Sequence, residues 1–288
     1  QGPLYGTERS NSIVFLADDM GLGDIRAYDS TSTIPTPNMD RLAEEGMRFT
    51  DVHTPASVCT PTRYGILTGR YPFRTRSYPG VLRSAYDQPL LESRHETVAG
   101  LLRRAGYRTA AFGKWHVGMS WSNRAGTGIA QPAVGTSQFS TTDVDFASPI
   151  RDGPLQHGFD YFYGIGSTIN HGPYTFINGD RVAEIPIRLR PQLDLPGGLY
   201  REGWVAASWR DDQQGPVLAE RLLDFLREHR RTRVGQPFFV YFAATANHFP
   251  NVPPETLRGK RVRGQGGNDD DEPLRNDMIV ENDGILGE

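Results

Sequence analysis

Residues 11–19 read N-S-I-V-F-L-A-D-D, from Asn11 to Asp19, and this stretch decides the fold. Its β-branched and aromatic residues form a short apolar run without polar alternation, the pattern of a strand buried on both faces of a parallel sheet. The run ends in Asp18 and Asp19, followed by Met20-Gly21-Leu22-Gly23. In an open α/β sheet the ligand crevice lies beyond the carboxyl ends of the strands, so paired carboxylates there suit a hard divalent cation. The competing explanation is an exposed turn, which Asp-Asp followed by Gly also favours.

Downstream of that strand, Thr36 and Pro37 supply a cap and a first-turn proline for a helix. Met39, Leu42 and Ala43 form its apolar stripe, and Gly46 closes it. Arg48 to Val52 reads as a strand, and His53 after it has a structural place. The chain then enters V-C-T-P-T-R-Y-G-I-L-T-G, Val58 to Gly69, which holds the only cysteine, Cys59. Thr60 and Pro61 suit the cap and first turn of a helix that continues to Thr68 and ends at Gly69. Cys59 then lies at a helix N-terminus, where unpaired N–H groups favour negative charge. Arg63, four residues on, shares its face and offers a fork of donors. A lone cysteine is also, more plainly, a small buried hydrophobe.

Further strand-and-helix units follow. Thr97 to Ala105 is a capped amphipathic helix ended by Gly106, and Tyr107 to Phe112 is the strand after it, delivering Lys114 and His116 to the same rim. Ser120 to Pro149 reads as a long loop, and residues 157–164 as an aromatic, strand-like run. Ile177 to Trp209 is irregular. Pro216 to His229 is an amphipathic helix, and Pro237 to Ala244 an apolar strand that leads into Thr245-Ala246-Asn247-His248-Phe249-Pro250. Arg258 to Glu272 reads as a polar surface loop.

Composition sets outer bounds. With 288 residues, 37% hydrophobic and 23% charged, the chain can bury a sizeable α/β core. A net charge of -3 gives no global field for nucleic acid or an anionic membrane surface. No apolar run reaches the ~20 residues a membrane-spanning helix needs, and no signal peptide opens the chain. A single cysteine excludes an intrachain disulfide framework.

Cys59-x-Pro61-Thr62-Arg63 resembles the maturation motif of type I sulfatases, in which the cysteine is oxidised to formylglycine; Thr62 stands where serine is commoner. By average residue usage such a pattern arises by chance in about one chain per thousand of this length. Gly106 to His116, G-Y-R-T-A-A-F-G-K-W-H, resembles the second family motif at Gly106, Tyr107, Thr109, Gly113, Lys114 and His116. The strand ending at Ala244 with His248 beyond it is similar to a third segment, whose histidine faces the leaving-group oxygen. Residues 165–174 are similar to the segment that sets a hydroxyl and a polar side chain near the sulfate, with Thr168 and Asn170 as candidates. His157 and His171 are read as structural.

The resemblance implies an alkaline-phosphatase-like α/β sandwich with a mixed, largely parallel sheet flanked by helices. Residues 11–288 would form the N-terminal catalytic domain, incomplete in that the C-terminal subdomain, a downstream Asp-Asn or Asp-His pair and a sulfate-binding lysine are missing. It further implies Asp18 and Asp19 holding Ca²⁺, with the hydrated formylglycine from Cys59 as another ligand and the attacking group. Arg63 and Lys114 would neutralise developing charge, His248 would protonate the departing alcohol, and His116 would take the proton from the second hydroxyl as sulfate leaves. The implied activity is hydrolysis of an aryl sulfate or sulfated carbohydrate, in a periplasmic or extracellular setting, after maturation by a formylglycine-generating enzyme. Two other readings remain open at this point: a phosphonate or phosphodiester hydrolase of the same superfamily, and a non-catalytic anion- or glycan-binding relic.

Overall fold

The computed structural model describes residues 9–130, 143–195, 198–267 and 273–288. The middle of the expected loop at 120–149 and the acidic end of the one at 258–272 lie outside the described residues. In chain order the elements are β1 (Ser12–Leu16), α1 (Pro37–Glu45), α2 (Cys59–Thr68), α3 (Val98–Arg104), β2 (Arg108–Lys114) and β3 (Tyr161–Ile165). Then come β4 (Ile177–Asn178), β5 (Arg181–Val182), β6 (Arg188–Arg190), β7 (Leu193–Leu195), β8 (Gly198–Tyr200) and β9 (Gly203–Val205). The chain finishes with α4 (Gln214–Thr232), β10 (Phe238–Ala243), the hairpin β11 (Thr256–Leu257) and β12 (Lys260–Arg261), and α5 (Pro273–Gly287).

The main sheet has the order β1-β10-β2-β3-β4-β5. Its first four strands run parallel, and β4 and β5 are antiparallel additions. Parallel pairing is what the apolar run at 11–19 predicts, and the mixed, largely parallel sheet is what the family resemblance implies. Alternate residues leave opposite faces of a strand, and both faces are covered here. Ala111 of β2 with Phe239 and Tyr241 of β10 join Tyr64 and Leu67 of α2 on one side. Ala110 and Phe112 with Val240 and Phe242 meet Leu218, Leu222 and Phe225 of α4 on the other. That two-sided burial is why these strands carry no polar alternation.

Glycine at the end of β2 has a geometric cause. Gly113 has φ +94°, and a Cβ there would lie 1.9 Å from the Ala243 carbonyl oxygen of β10. On the other flank, a Cβ on Gly164 of β3 would lie 2.0 Å from the Gly113 carbonyl oxygen. Three strands therefore meet backbone against backbone just where β2 delivers Lys114.

Several boundaries differ from expectation. Residues 48–52 form no strand: among the described residues no neighbour pairs with them, and a β-like pattern without a partner ladder has nothing to fix it. Helix α2 begins at Cys59 with Val58 as its extended cap, so Thr60 is not the cap. The Thr60 hydroxyl instead donates to the His116 carbonyl at 3.0 Å and accepts from the Leu82 N–H at 3.2 Å. Strand β2 continues through Lys114, and the irregular stretch 177–209 contains short ribbons pairing β6 with β9 and β7 with β8. Residues 260–261 join the hairpin with β11, inside what reads from sequence as surface loop.

Candidate active site

The carboxyl ends of β1, β2 and β10 and the start of α2 meet at one rim. Asp18 and Asp19 follow β1; Asp18 receives the Asn247 N–H at its carbonyl (2.7 Å) and donates its own N–H to the Ala246 carbonyl (3.0 Å), tying β1 to the loop after β10. A cleft of about 270 Å³ is lined by Asp18, Asp19, Cys59, Thr62 and Arg63, among others. The sequence-predicted carboxylates, cysteine and arginine therefore share one wall, and the turn explanation for Asp18 fails because that side chain is buried.

Asp18 is the hub. One carboxylate oxygen accepts from the Lys114 ammonium at 2.6 Å, and the other lies 3.2 Å from the Arg63 guanidinium. Burial opposes the negative charge, but Lys114 and Arg63 outweigh it and hold this carboxyl well below the usual carboxylate range. Arg63 and Lys114 are each 1% exposed, and Arg63 also donates to the Lys114 carbonyl at 2.7 Å. The guanidinium thus clamps the main chain of β2 to the Asp18 carboxylate beyond β1.

His116 follows at φ +53°. Its Nε2 lies 2.9 Å from the Leu82 carbonyl oxygen, which can only accept, so the ring proton belongs on Nε2. Nδ1 is then a bare lone pair, buried and, among the described residues, without a partner. Burial, with Lys114 and Arg63 nearby, drives its pKa far below the usual histidine value, so the ring is neutral, with its free lone pair at Nδ1.

His248 sits beyond β10 with its Nδ1 2.5 Å from the Phe249 carbonyl and 3.0 Å from the Thr168 hydroxyl. Its Nε2 is 3.9 Å from an Asp19 carboxylate oxygen. Burial and Lys114 lower the His248 pKa, while Asp18 and Asp19 raise it. Thr168 reaches the site through that contact. Asn170 is 3% exposed and gives its amide N–H to the Leu199 carbonyl at 2.9 Å, which commits that amide nitrogen to strand β8.

His171, read from the sequence as structural, lies beside the site. Its Nδ1 lies 3.2 Å from the Ser167 hydroxyl. Burial, then Lys114, Arg201 and His248, push its pKa down to about 3. A Ser and a His four apart in a loop carry no signal until the fold sets them beside a cation. Asn247 is the other such residue: its N–H holds Asp18, and its side-chain carbonyl accepts from Asn282 of α5 at 2.8 Å.

Among the described residues no three His, Cys, Asp or Glu side chains gather as a metal cluster. The donors at the end of β1 nevertheless fit a hard cation in kind: two carboxylates, with the Asp19 side chain 51% exposed at the cleft. They supply part of the roughly six to eight oxygens that Ca²⁺ takes. Cys59, partly exposed at the first turn of α2, fits a small oxidised side chain facing the same cleft.

Residues 10–287 match the sulfatase family model. The chain is 28% identical over 315 residues to an N-acetylgalactosamine-6-O-sulfatase of Bacteroides thetaiotaomicron, covering 98% of this chain and 55% of that protein. It is 31% identical over 298 residues to arylsulfatase A of Bos taurus, covering 99% and 48%. A solved Bacteroides thetaiotaomicron structure, described as a 6S-sulf from a locus for metabolism of multiple glycosaminoglycans, superposes with a TM-score of 0.74 at 26% identity, over 98% of this chain and 58% of that one. The chain spans about half the length of the curated relatives it matches.

Proposed function

The chain belongs to the sulfatase family, and from that premise we propose that it contributes the catalytic face of an enzyme that hydrolyses a sulfate ester to an alcohol and inorganic sulfate. The observation that carries this reading is Asp18, buried between Arg63 and Lys114 on the wall of the cleft that Cys59 lines. An anionic ester needs fixed cations in a dry setting, and Asp18 holds Arg63 and Lys114 in one beside the cleft.

The residues divide the work as follows. Asp18 and Asp19 would hold Ca²⁺, and formylglycine would derive from Cys59. When present, these two groups supply a hydrated aldehyde whose hydroxyl is acidified enough to attack sulfur. Arg63 and Lys114 orient the sulfate and balance its charge. His116, its Nε2–H spent on Leu82, takes up a proton at Nδ1. His248 holds its Nδ1–H toward Phe249 and, when protonated, donates from Nε2 to the departing oxygen. Thr168 steadies that ring. Maturation would require a formylglycine-generating enzyme, and the setting would be periplasmic or extracellular; among the described residues no helix is long and apolar enough to cross a membrane.

The test is the mass of the Cys59 peptide together with turnover of 4-nitrophenyl sulfate. Formylglycine lowers the peptide by roughly eighteen daltons relative to cysteine. Cys59→Ala is expected to lose turnover by several orders of magnitude with folding unchanged. Near-normal activity in that variant, or faster cleavage of a phosphodiester than of the aryl sulfate, would overturn the proposal.

A further inference from the structure

Helix α2 has a second concave surface at its other end. Cys59 opens the helix; Gly69, in the left-handed region at φ +65°, closes it. At a rise of about 1.5 Å per residue, the two ends lie roughly 14 Å apart. Around Gly69 lies a pocket of about 510 Å³, lined by Arg70, Tyr71, Phe73, Arg74, Arg94 and His95, with Tyr64 and Glu92. That volume falls within the range of roughly 300–1,000 Å³ typical of small-ligand sites.

The pocket's chemistry is specific. Tyr71 and Phe73 stack on each other with centroids 5.6 Å apart and rings 22° from parallel. They are 66% and 55% exposed, so this pair does not serve the core. The Arg74 guanidinium lies 5.9 Å from the Phe73 centroid. The three arginines face one carboxylate, Glu92, leaving two net positive charges in the lining. Glu92 pairs with Arg94 at 2.6 Å, with His95 at 4.0 Å. Arg70 and Arg74 are exposed and, among the described residues, form no ion pair. The floor is rigid: the His95 side chain is 8% exposed and meets Tyr64 edge-on at 6.2 Å.

We propose that this pocket is a second, non-catalytic binding site for an anionic saccharide, one whose rings carry sulfate or carboxylate groups. Exposed aromatic faces attract the polarised C–H face of a sugar ring. Two unpaired guanidinium forks beside them match sulfate or carboxylate oxygens. A neutral sugar would leave those charges unused, and an apolar ligand would bury them at a cost. Nucleic acid is disfavoured because it requires a basic track spanning many phosphates, and this pocket offers two unpaired arginines in a chain whose net charge is -3. The site is independent of the chemistry at Cys59 and stands or falls on binding alone.

Affinity electrophoresis of the purified protein, in gels containing dextran sulfate, uncharged dextran or neither, tests this. Wild type is expected to be retarded by dextran sulfate only. Arg70→Ala with Arg74→Ala, and separately Tyr71→Ala with Phe73→Ala, should each weaken retention by about tenfold, equivalent to about 1.4 kcal/mol, with unchanged circular dichroism. Because all four side chains are exposed, both variants should fold; the charge reversal Arg74→Glu, expected to weaken retention further, provides a second route. Undiminished retention of the variants, equal retention of wild type by uncharged dextran, or tighter binding to oligothymidylate of matched charge would each overturn the proposal.

Discussion

Asp18 is 3% exposed and meets Lys114 and Arg63 at 2.6 and 3.2 Å. A buried carboxylate held by two cations adds little over an apolar filling of the same volume, yet removing one partner strands a charge. Asp18→Asn, which strands both Arg63 and Lys114, should therefore cost about 3–5 kcal/mol in a urea titration, and adding Lys114→Met should return part of that loss. A single variant within about 1 kcal/mol of wild type would show that the clamp is not what holds this corner. Arg63→Lys should also be damaging, because one ammonium cannot span both Asp18 and the Lys114 carbonyl.

At the scale of elements, α4 and α5 share a buried carboxyl. A Cβ on Gly215 of α4 would lie 1.8 Å from Oε1 of Glu281 on α5, so the helices approach through that glycine. Burial, with Asp212 adding repulsion, pushes the Glu281 pKa up to about 8 from 4.5. Between those values the unfolded chain has released this proton while the folded chain keeps it, so folding weakens as pH rises through that window and levels above it. Unfolding free energies at pH 5 and pH 8 should differ by up to about a few kcal/mol in wild type, and Glu281→Gln should flatten the dependence. Equal slopes in the two proteins would be inconsistent with a protonated Glu281. Gly215→Ala should disrupt the same contact, by overpacking rather than by charge.

Across the whole molecule, the site is a convergence of strand ends, and this governs what sequence could reveal. The apolar run at 237–244 is legible because two-sided burial removes polar alternation, whereas β1 is an edge strand with Ser12 and Ile13 exposed, a correction to the two-sided burial expected of 11–19; Asp18, Cys59, Lys114 and His248 are legible because each follows such a run or opens a helix. Residues 48–52 were not, since a strand exists only through its partner. His171 and Asn247 were not, since their roles depend on neighbours from β2, the loop after β8, and α5. Ca²⁺ would act on this whole assembly through linkage. At about one hundred times its Kd, calcium should raise folding stability by about 2.7 kcal/mol, read as a higher melting temperature that chelator reverses. Asp19→Ala should blunt that rise, and an unchanged rise would remove Asp19 from the binding set. The crossing of backbones at Gly113 and Gly164 bears on redesign. A library aimed at a new substrate has freedom at exposed positions that line the cleft, such as Ser57 and Val58. It has none at 113 and 164, where a single methyl group would have to occupy space already filled by a neighbouring strand's carbonyl.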